Sequence, residues 1–250
     1  MGTKICKKNY DSVYLKFVAK LYSDVKKHSL SLLNLKDNSV ILDLGCGSGL
    51  DTVKLSANNK KSQIFGIDHD IEMLNVAKKT PMSNVNYLLS QADALPFEDN
   101  YIDAILCDRV LQHLPNVDNV IYQINRVLKT NGMVVIVETD WMSMSFNTPF
   151  IETERKILDY KSSIDIKNGL SNRLMLKYFS NYRIANFKNF PLSLNSLTDA
   201  DYLFGLFRVL DNSNLTENER NVFLDYIRNC DLKKCFSLTW NAVVYQFFRQ

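Results

Sequence analysis

The feature of this sequence that most constrains its fold is a short apolar run that leads directly into a glycine loop. Residues 39–43 read Ser-Val-Ile-Leu-Asp, and glycines follow at positions 45, 47 and 49. Glycine allows positive φ and lets backbone N–H groups come close to a neighbouring molecule. A buried strand that turns through such a loop into a helix is typical of sheets in which strands and helices alternate. The loop therefore predicts an α/β fold.

The segments around and after the loop continue this alternation. Short apolar runs predict strands at residues 39–43, 63–67, 85–89, 102–107 and 133–138. Helical spacing predicts helices at residues 51–57, 72–79 and 117–128, and Asn131-Gly132 predicts a turn before the last strand. Strand–helix–strand units place parallel strands side by side with helices packed against them. We therefore predict a Rossmann-like, mostly parallel α/β sheet with helices on both faces over residues 36–140.

The two flanking parts of the chain are predicted to form a helical cap. In residues 1–35, an apolar side chain recurs every fourth residue, which predicts one amphipathic helix with Val13, Phe17, Leu21 and Val25 on its buried face. Residues 141–250 contain further helical and strand patterns, and no linker precedes them. Helices are predicted at 150–162, 171–179, 199–210 and 217–230, and strands at 182–194 and 237–248. We expect this part to complete the same sheet and to cover the substrate, as one structural unit with the core.

Composition and charge argue against several classes of protein. Of the 250 residues, 46% are hydrophobic and 23% are charged, which is ordinary for a globular protein with a sizeable core. The net charge of +3 is too small to indicate a nucleic-acid partner. The five cysteines and three histidines show no metal-binding spacing, so no metal is predicted. No apolar run approaches the ~18 residues that a membrane span needs, and no signal peptide is visible, so we expect a cytoplasmic protein.

Two carboxylates indicate which nucleotide the glycine loop would bind. About twenty residues after the loop, the second predicted strand ends at Asp68, where an acid can accept hydrogen bonds from both ribose hydroxyls. The loop reads G-x-G-x-G, whereas dinucleotide folds usually show G-x-G-x-x-G. Asp43, at the end of the first strand, would repel a pyrophosphate but attract the ammonium of a methionine moiety. The negative charge of Asp43 therefore favours S-adenosylmethionine over NAD.

With these residues in place, the sequence resembles the class I S-adenosylmethionine-dependent methyltransferases. Residues 42–49 resemble the first motif of that family, and residues 91–97 resemble the segment whose acid meets the adenine amino group. Residues 101–108 and 126–132 are similar to its fourth strand and to the helix and turn before its fifth strand. The resemblance covers about residues 36–140, and the nearest subgroup is the small-molecule methyltransferases of ubiquinone and menaquinone biosynthesis.

The resemblance implies a set of cofactor-binding residues. The loop residues Gly45, Cys46, Gly47 and Gly49 would surround the methionine part, with Asp43 near its ammonium. Asp68 would hold the ribose, His69 and Met73 would flank the adenine, and Asp93 with the backbone of Ala94 would receive its amino group. Asp108 and Arg109 would line the junction between cofactor and substrate. Structural alternatives stay open: Asp68 as a helix N-cap, Asp93 as a solvated acid, and Met73 as a helix-packing residue.

Three further residues are candidates for the acceptor side of the site. His113 follows the fourth predicted strand, and an imidazole can take a proton near neutral pH. Asp140 and Trp141 follow the fifth strand, where ligand-binding residues of such folds concentrate. His113 and Asp140 are therefore candidate bases, and Trp141 is a candidate for stacking on the substrate. The alternatives are a histidine that only shapes the turn and a tryptophan that anchors the core beneath the cap.

The sequence thus predicts methyl transfer from S-adenosylmethionine to a small molecule with an aromatic or enol part. Methylation of RNA or protein, and a protein that binds S-adenosylmethionine without turnover, remain as alternatives. An NAD-dependent oxidoreductase is the weakest of them, because the third glycine is not at its usual spacing. The Asn/Asp-Pro-Pro-aromatic motif that amino-methylating enzymes for bases share is replaced here by Cys-Asp-Arg-Val at 107–110.

Overall fold

The computed structural model describes residues 12–250 and contains one seven-stranded sheet. Its strands are β1 (Val40–Leu44), β2 (Gln63–Asp68), β3 (Val85–Leu89), β4 (Ile102–Asp108), β5 (Leu128–Phe146), β6 (Tyr182–Leu194) and β7 (Leu238–Arg249). They lie in the order β3-β2-β1-β4-β5-β7-β6, and β7 runs antiparallel to both of its neighbours. The first five strands pair in parallel, so the predicted Rossmann-like, mostly parallel α/β sheet is confirmed.

Helices cover both faces of this sheet. They are α1 (Ser12–Leu21), α2 (Ser23–Ser31), α3 (Leu50–Asn58), α4 (Ile71–Ala77), α5 (Asp118–Val127), α6 (Ile151–Tyr160), α7 (Met175–Tyr178), α8 (Leu197–Phe204), α9 (Leu206–Asn212) and α10 (Glu217–Leu232). Successive strand residues point to opposite faces. Accordingly, Ile41 belongs to the hydrophobic cluster that contains α2 and α3, and Leu42 belongs to the cluster that contains α5 and α7.

Three predicted helices are interrupted in the structure. The N-terminal pattern forms two helices that are separated at Tyr22, and the side chain of Val13 lies outside the described part. The helix predicted at 199–210 breaks at Gly205, which has a φ of +63°. The segment 171–179 forms a 3₁₀ turn at Ser171–Leu174 before the short α7. Periodicity predicted the buried faces, but it did not predict these local breaks.

The turn predicted at Asn131-Gly132 is a wide bulge within β5. Leu128 pairs with Ile102 and Met133 pairs with Ala104, so residues 129–132 lie opposite the single residue Asp103. Asn131 has a φ of +62°, which is the left-handed conformation that asparagine tolerates in turns. The turn conformation predicted for Asn131-Gly132 is therefore present, but β5 continues through it.

The N-terminal helices and the C-terminal part of the chain pack into one hydrophobic cluster. Val18 and Val25 share this cluster with Phe223 and Trp240, all of which are buried. The ring of Tyr202 on α8 contacts Phe17 of α1 at 5.9 Å between ring centroids. This packing places α1 and α8 together over one side of the sheet. Division of the chain at residues 35 and 140 stays a prediction. Within the described residues, no helix combines the length and apolarity needed to span a bilayer.

Candidate cofactor and acceptor site

The glycine loop is tied to the end of β2 by backbone hydrogen bonds. The N–H groups of Gly45 and Cys46 donate to the carbonyl of Ile67 at 2.8 and 2.9 Å. A Cβ on Gly45 would lie 2.4 Å from Val110 Cγ2, whereas a Cβ on Gly47 would meet nothing within 4 Å. Both residues have positive φ. Gly45 is therefore required for packing, and Gly47 leaves open space over the loop where a ligand can approach.

Asp68, at the end of β2, has a carboxylate that is held by two backbone N–H groups. Its side chain is 8% exposed, and its carboxylate accepts the N–H groups of Gly47 at 2.8 Å and Asp70 at 2.9 Å. A carboxylate has about four acceptor positions, so capacity remains for two hydroxyl donors. The N-cap of α4 is Asp70, whose carboxylate accepts the Glu72 N–H at 2.8 Å. Asp70, and not Asp68, therefore caps α4.

The predicted adenine-contacting residues follow the carboxyl ends of β2 and β3. Ser90, directly after β3, donates its N–H to the carbonyl of Asp68 at 3.1 Å, which brings the 90–94 loop to this edge. His69, Asp93 and Ala94 are exposed, and Met73 on α4 is half-buried. The structure therefore gathers these residues at the same edge of the sheet. An exposed Asp93 is compatible with adenine recognition and with the solvated alternative alike.

Asp43 lies beneath the glycine loop rather than on its surface. Its carboxyl is 3% exposed and accepts a hydrogen bond from Thr52 Oγ1 at 2.6 Å. Burial raises the pKa of Asp43 to about 7. A ligand ammonium would therefore interact with Asp43 over a distance or through water, not by direct contact.

A buried lysine joins α2 to carboxylates on α3 and at the end of β4. Lys26 on α2 donates to Asp108 Oδ2 at 2.8 Å and forms an ion pair with Asp51 in the first turn of α3. Arg109 Nε donates to Asp108 Oδ1 at 2.8 Å. Burial favours the neutral form of Asp108, but the charges of Lys26 and Arg109 outweigh it and hold its pKa below the ordinary value. Three elements are thus held together by one group of charges.

Arg109 is held in an unusual conformation at the end of β4. Its φ is +55°, a left-handed value that costs a side chain about 1 kcal/mol or more. The guanidinium lies 4.7 Å from the ring centroid of Tyr22, which separates α1 from α2. Strain of this kind persists only where surrounding contacts fix it, and here Asp108 and Tyr22 do so. Asp108 and Arg109 are therefore held against each other at the end of β4, and their place at a junction of cofactor and substrate stays a prediction.

His113 ends a 3₁₀ turn, Leu111–His113, that follows β4. The His113 side chain is exposed, and its Nε2 lies 3.1 Å from Gln112 Nε2. Gln112 is buried and accepts a hydrogen bond from Trp141 Nε1 at 2.9 Å through its own Oε1. The turn thus presents His113 to solvent while Gln112 anchors it from below.

Trp141 and Asp140 have partners that differ from the predicted ones. Trp141 is only 6% exposed and packs edge-to-face on Phe204 at 5.7 Å. This position corresponds to the core anchor, not to a stacking surface for a substrate. Asp140 accepts two hydrogen bonds from Arg173, both at 3.0 Å. To act as a general base, Asp140 would have to share or leave this bidentate pair with Arg173.

Sequence patterns did not single out Lys26, Asp51 or Glu138. Glu138 on β5 is fully buried, and burial raises its pKa to about 8. An acid at the carboxyl end of an apolar strand was the signal that identified Asp68, and the same signal applies to Glu138. No comparable signal exists for Lys26, because its partners are distant in sequence.

The loop cysteine is unsuited to nucleophilic chemistry. Cys46 is half-buried, and burial together with the nearby Asp43 and Asp68 carboxylates raises the pKa of its thiol far above the ordinary value. A thiolate, which is the reactive form, is therefore disfavoured. Cys46 contributes to the shape of the loop.

Fold and site together define a class of protein. The order β3-β2-β1-β4-β5 is that of Rossmann-like sheets, and the glycine loop and Asp68 lie at the carboxyl edge, where such sheets bind nucleosides. Residues 42–136 match the family model of a methyltransferase domain. These residues therefore form a methyltransferase domain of the class I S-adenosylmethionine-dependent type.

Individual relatives agree with this assignment. The chain is 38% identical over 117 residues to a demethylmenaquinone methyltransferase of Staphylococcus epidermidis, a match that covers 46% of this chain and 48% of the relative. The chain thus spans about half the length of the curated relatives it matches.

Solved structures share the fold at lower identity. YcgJ of Bacillus subtilis has a TM-score of 0.59 at 21% identity, over 90% of this chain and 99% of that one. Geranyl diphosphate C-methyltransferase of Streptomyces coelicolor has a TM-score of 0.57 at 14% identity, over 98% of this chain and 85% of that one. At these identities the likeness concerns the fold alone.

Proposed function

We propose that this protein transfers the methyl group of S-adenosylmethionine to a small-molecule acceptor with an aromatic or enol part. The observation that carries the proposal is the arrangement of Asp68 and Gly47 at the carboxyl edge of the sheet. There a carboxylate with remaining acceptor capacity adjoins the open side of a glycine loop. A nucleoside with vicinal hydroxyls fits this pair.

The remaining cofactor residues would act around this centre. His69 and Met73 would flank the adenine, and Asp93 would accept its amino group. At the other end, Asp51 and Asp108 supply carboxylates next to Lys26, which suits a zwitterionic amino-acid group. Asp43, buried below with a raised pKa, would contribute to the local potential rather than to direct contact.

The chemistry needs alignment more than it needs strong acid or base groups. When bound, S-adenosylmethionine supplies an electrophilic methyl group on a sulfonium. The protein's part is to hold the acceptor in line with that group and to exclude water, which can supply much of the rate. The helices α1 and α8, which contact each other at Phe17 and Tyr202, would close this space.

A base would assist an acceptor that carries a phenol or enol. His113 is the better of the two predicted candidates, because it is exposed at the end of β4 while Asp140 is paired with Arg173. A small molecule is favoured as acceptor by the modest charge of +3 and by the relatives that act on small molecules. A cytoplasmic location belongs to the same proposal and is supported by the free thiols of Cys46, Cys107, Cys230 and Cys235.

The test is methyl transfer from S-adenosylmethionine that carries a labelled methyl group. The acceptor panel would contain a short-chain demethylmenaquinol, simple catechols and phenols, tRNA and an unrelated protein. We expect label in a small molecule. Relative to wild type, His113→Ala should lose more methyl transfer at neutral pH than at high pH, where a phenol ionises unaided. Label in tRNA or protein alone, or binding of S-adenosylhomocysteine with no transfer to any acceptor, would instead support one of the alternatives.

A further inference from the structure

Glu138 is a buried carboxyl for which the proposed methyl transfer has no direct use. It lies on β5 two residues before Asp140, at the carboxyl edge of the sheet, and is 0% exposed. A substrate cannot reach it, so it cannot exchange protons with an acceptor. Its function must act through the groups that it contacts.

Those groups belong to two separate segments. Leu111, the first residue of the turn that carries His113, donates its N–H to Glu138 Oε1 at 2.9 Å. Ser171, the first residue of the 3₁₀ turn before α7, donates its hydroxyl to Glu138 Oε2 at 3.3 Å. One carboxyl thus connects β5, the His113 turn and the C-terminal part of the chain.

A second set of contacts joins the same two segments. The N–H of Asn168 donates to the carbonyl of Gln112 at 3.0 Å. The Gln112 side chain in turn contacts both Trp141 and His113. The position of His113 therefore depends on a polar network that has Glu138 at its buried end.

The energetic cost of this arrangement indicates a specific role. Burial of a carboxyl in an apolar sheet disfavours its charged form, and a well-packed apolar residue is often as stable or more stable at such a position. The Glu138 carboxyl accepts one hydrogen bond from a backbone N–H and one from a hydroxyl, each in a defined direction. An apolar side chain could not accept either of them. Orientation of the turn is the property that only the carboxyl supplies.

We propose that Glu138 is a positioning residue for the acceptor side of the site. It fixes the turn that presents His113 and locks that turn to the segment at Ser171. This inference rests on the proposed function only in that the turn faces the methyl acceptor. The binding of the cofactor does not depend on it.

The experiment compares Glu138→Leu and Glu138→Gln with the same two changes at Glu154. Glu154 is a second buried glutamate, on α6, which is not connected to the His113 turn by the contacts described here, and burial raises its pKa as well. Amide hydrogen exchange would be measured over 110–114, 168–172 and the loop 45–49, together with the NMR signals of the His113 ring. Calorimetry with S-adenosylhomocysteine would report on the cofactor side.

With Glu138→Leu we expect exchange at Leu111 to rise about tenfold or more, as expected for loss of one buried hydrogen bond. Exchange over 168–172 should rise with it, and the His113 ring signals should move. Glu138→Gln, which can still accept and donate, should restore both. Exchange at 45–49 and the affinity for S-adenosylhomocysteine should stay within about threefold of the wild-type values, because Asp68 and the loop do not contact this network.

Two results would overturn the proposal. One is equal exchange at Leu111 in the leucine variants of Glu138 and Glu154. The other is a loss of S-adenosylhomocysteine affinity in Glu138→Leu as large as the loss of protection at the turn. If the wild-type protein binds no S-adenosylhomocysteine, the proposed function fails, while the exchange and NMR data still decide the role of Glu138.

Discussion

Within the glycine loop, neighbouring glycines have different roles. A Cβ on Gly45 would collide with Val110, while a Cβ on Gly47 would extend into open space. Both positions have left-handed backbone, so any side chain adds strain of about 1–2 kcal/mol. The structure thus separates Gly45, which the packing needs, from Gly47, whose open side is available to the proposed ligand.

Alanine at each position should reveal this separation. Gly45→Ala should lose about 2–4 kcal/mol of unfolding free energy, because overpacking adds to backbone strain. Gly47→Ala should lose about 1 kcal/mol from strain alone, yet bind S-adenosylhomocysteine at least tenfold more weakly, since its methyl group would occupy the ligand's side of the loop. Urea unfolding and calorimetry would measure both. Wild-type affinity in Gly47→Ala would show that no ligand approaches this face.

The candidate site illustrates what single residues reveal before a structure exists. Asp68 was predicted because it ends an apolar strand, and Asp108 was predicted from the family resemblance; both end strands at the carboxyl edge. The role of Trp141 could not be decided from sequence, since a tryptophan after a strand suits a pocket and a core equally well. Only the contacts with Gln112 and Phe204 distinguish these alternatives.

At the scale of elements, α2 is fastened to the sheet by a charge as well as by apolar packing. Lys26 is buried and reaches acids on α3 and β4, while Val25 beside it packs into the core. Burial alone lowers the pKa of Lys26, but the Asp108 and Asp51 carboxylates outweigh it and raise the pKa above the ordinary value. The helix and the two acids therefore depend on one another.

Removal of this charge should weaken the whole N-terminal attachment. We expect Lys26→Met to cost about 3 kcal/mol of unfolding free energy, because two mostly buried carboxylates lose their shared partner. Lys27→Met is the control, since Lys27 is the next residue on the same helix and is exposed. In denaturant titrations, the unfolding free energies of Lys26→Met and Lys27→Met should differ by most of that amount. Equal stability would mean that apolar packing alone holds α2.

Elements with strong periodicity were predicted well, and the irregular ones were not. The strand at 182–194 was predicted with the bounds that the structure shows. The wide bulge of β5 and the break at Tyr22 depend on contacts between distant parts of the chain, such as the pairing of β5 with β4. Local patterns carry no information about such contacts.

For the whole molecule, two buried carboxyls make stability depend on pH. Burial raises the pKa of Asp43 to about 7 and that of Glu138 to about 8. Between the ordinary glutamate value of 4.5 and about 8, the folded protein keeps the Glu138 proton and the unfolded chain has lost it. Stability contributed by the protonated carboxyl is therefore full below the lower value and is lost as the pH rises through this window.

Glu138→Gln should remove its share of this dependence. As the pH rises from 5 to 8, the wild type should lose unfolding free energy relative to Glu138→Gln. The loss should be at most about 1.4 kcal/mol per pH unit. Urea unfolding at intervals of one pH unit measures it. Parallel curves for the two proteins would show that Glu138 does not titrate in this range.

The central claim, that Asp68 and the glycine loop bind an adenosyl cofactor, is tested most directly by calorimetric titration with S-adenosylhomocysteine and, in parallel, with NAD. Wild-type protein and Asp70→Asn should bind S-adenosylhomocysteine alike, because asparagine is also a good N-cap. Asp68→Asn should bind it at least about 30-fold more weakly, which is ~2 kcal/mol for hydrogen bonds to a charged acceptor. Undiminished affinity in Asp68→Asn, or preferential binding of NAD by the wild type, would contradict the account.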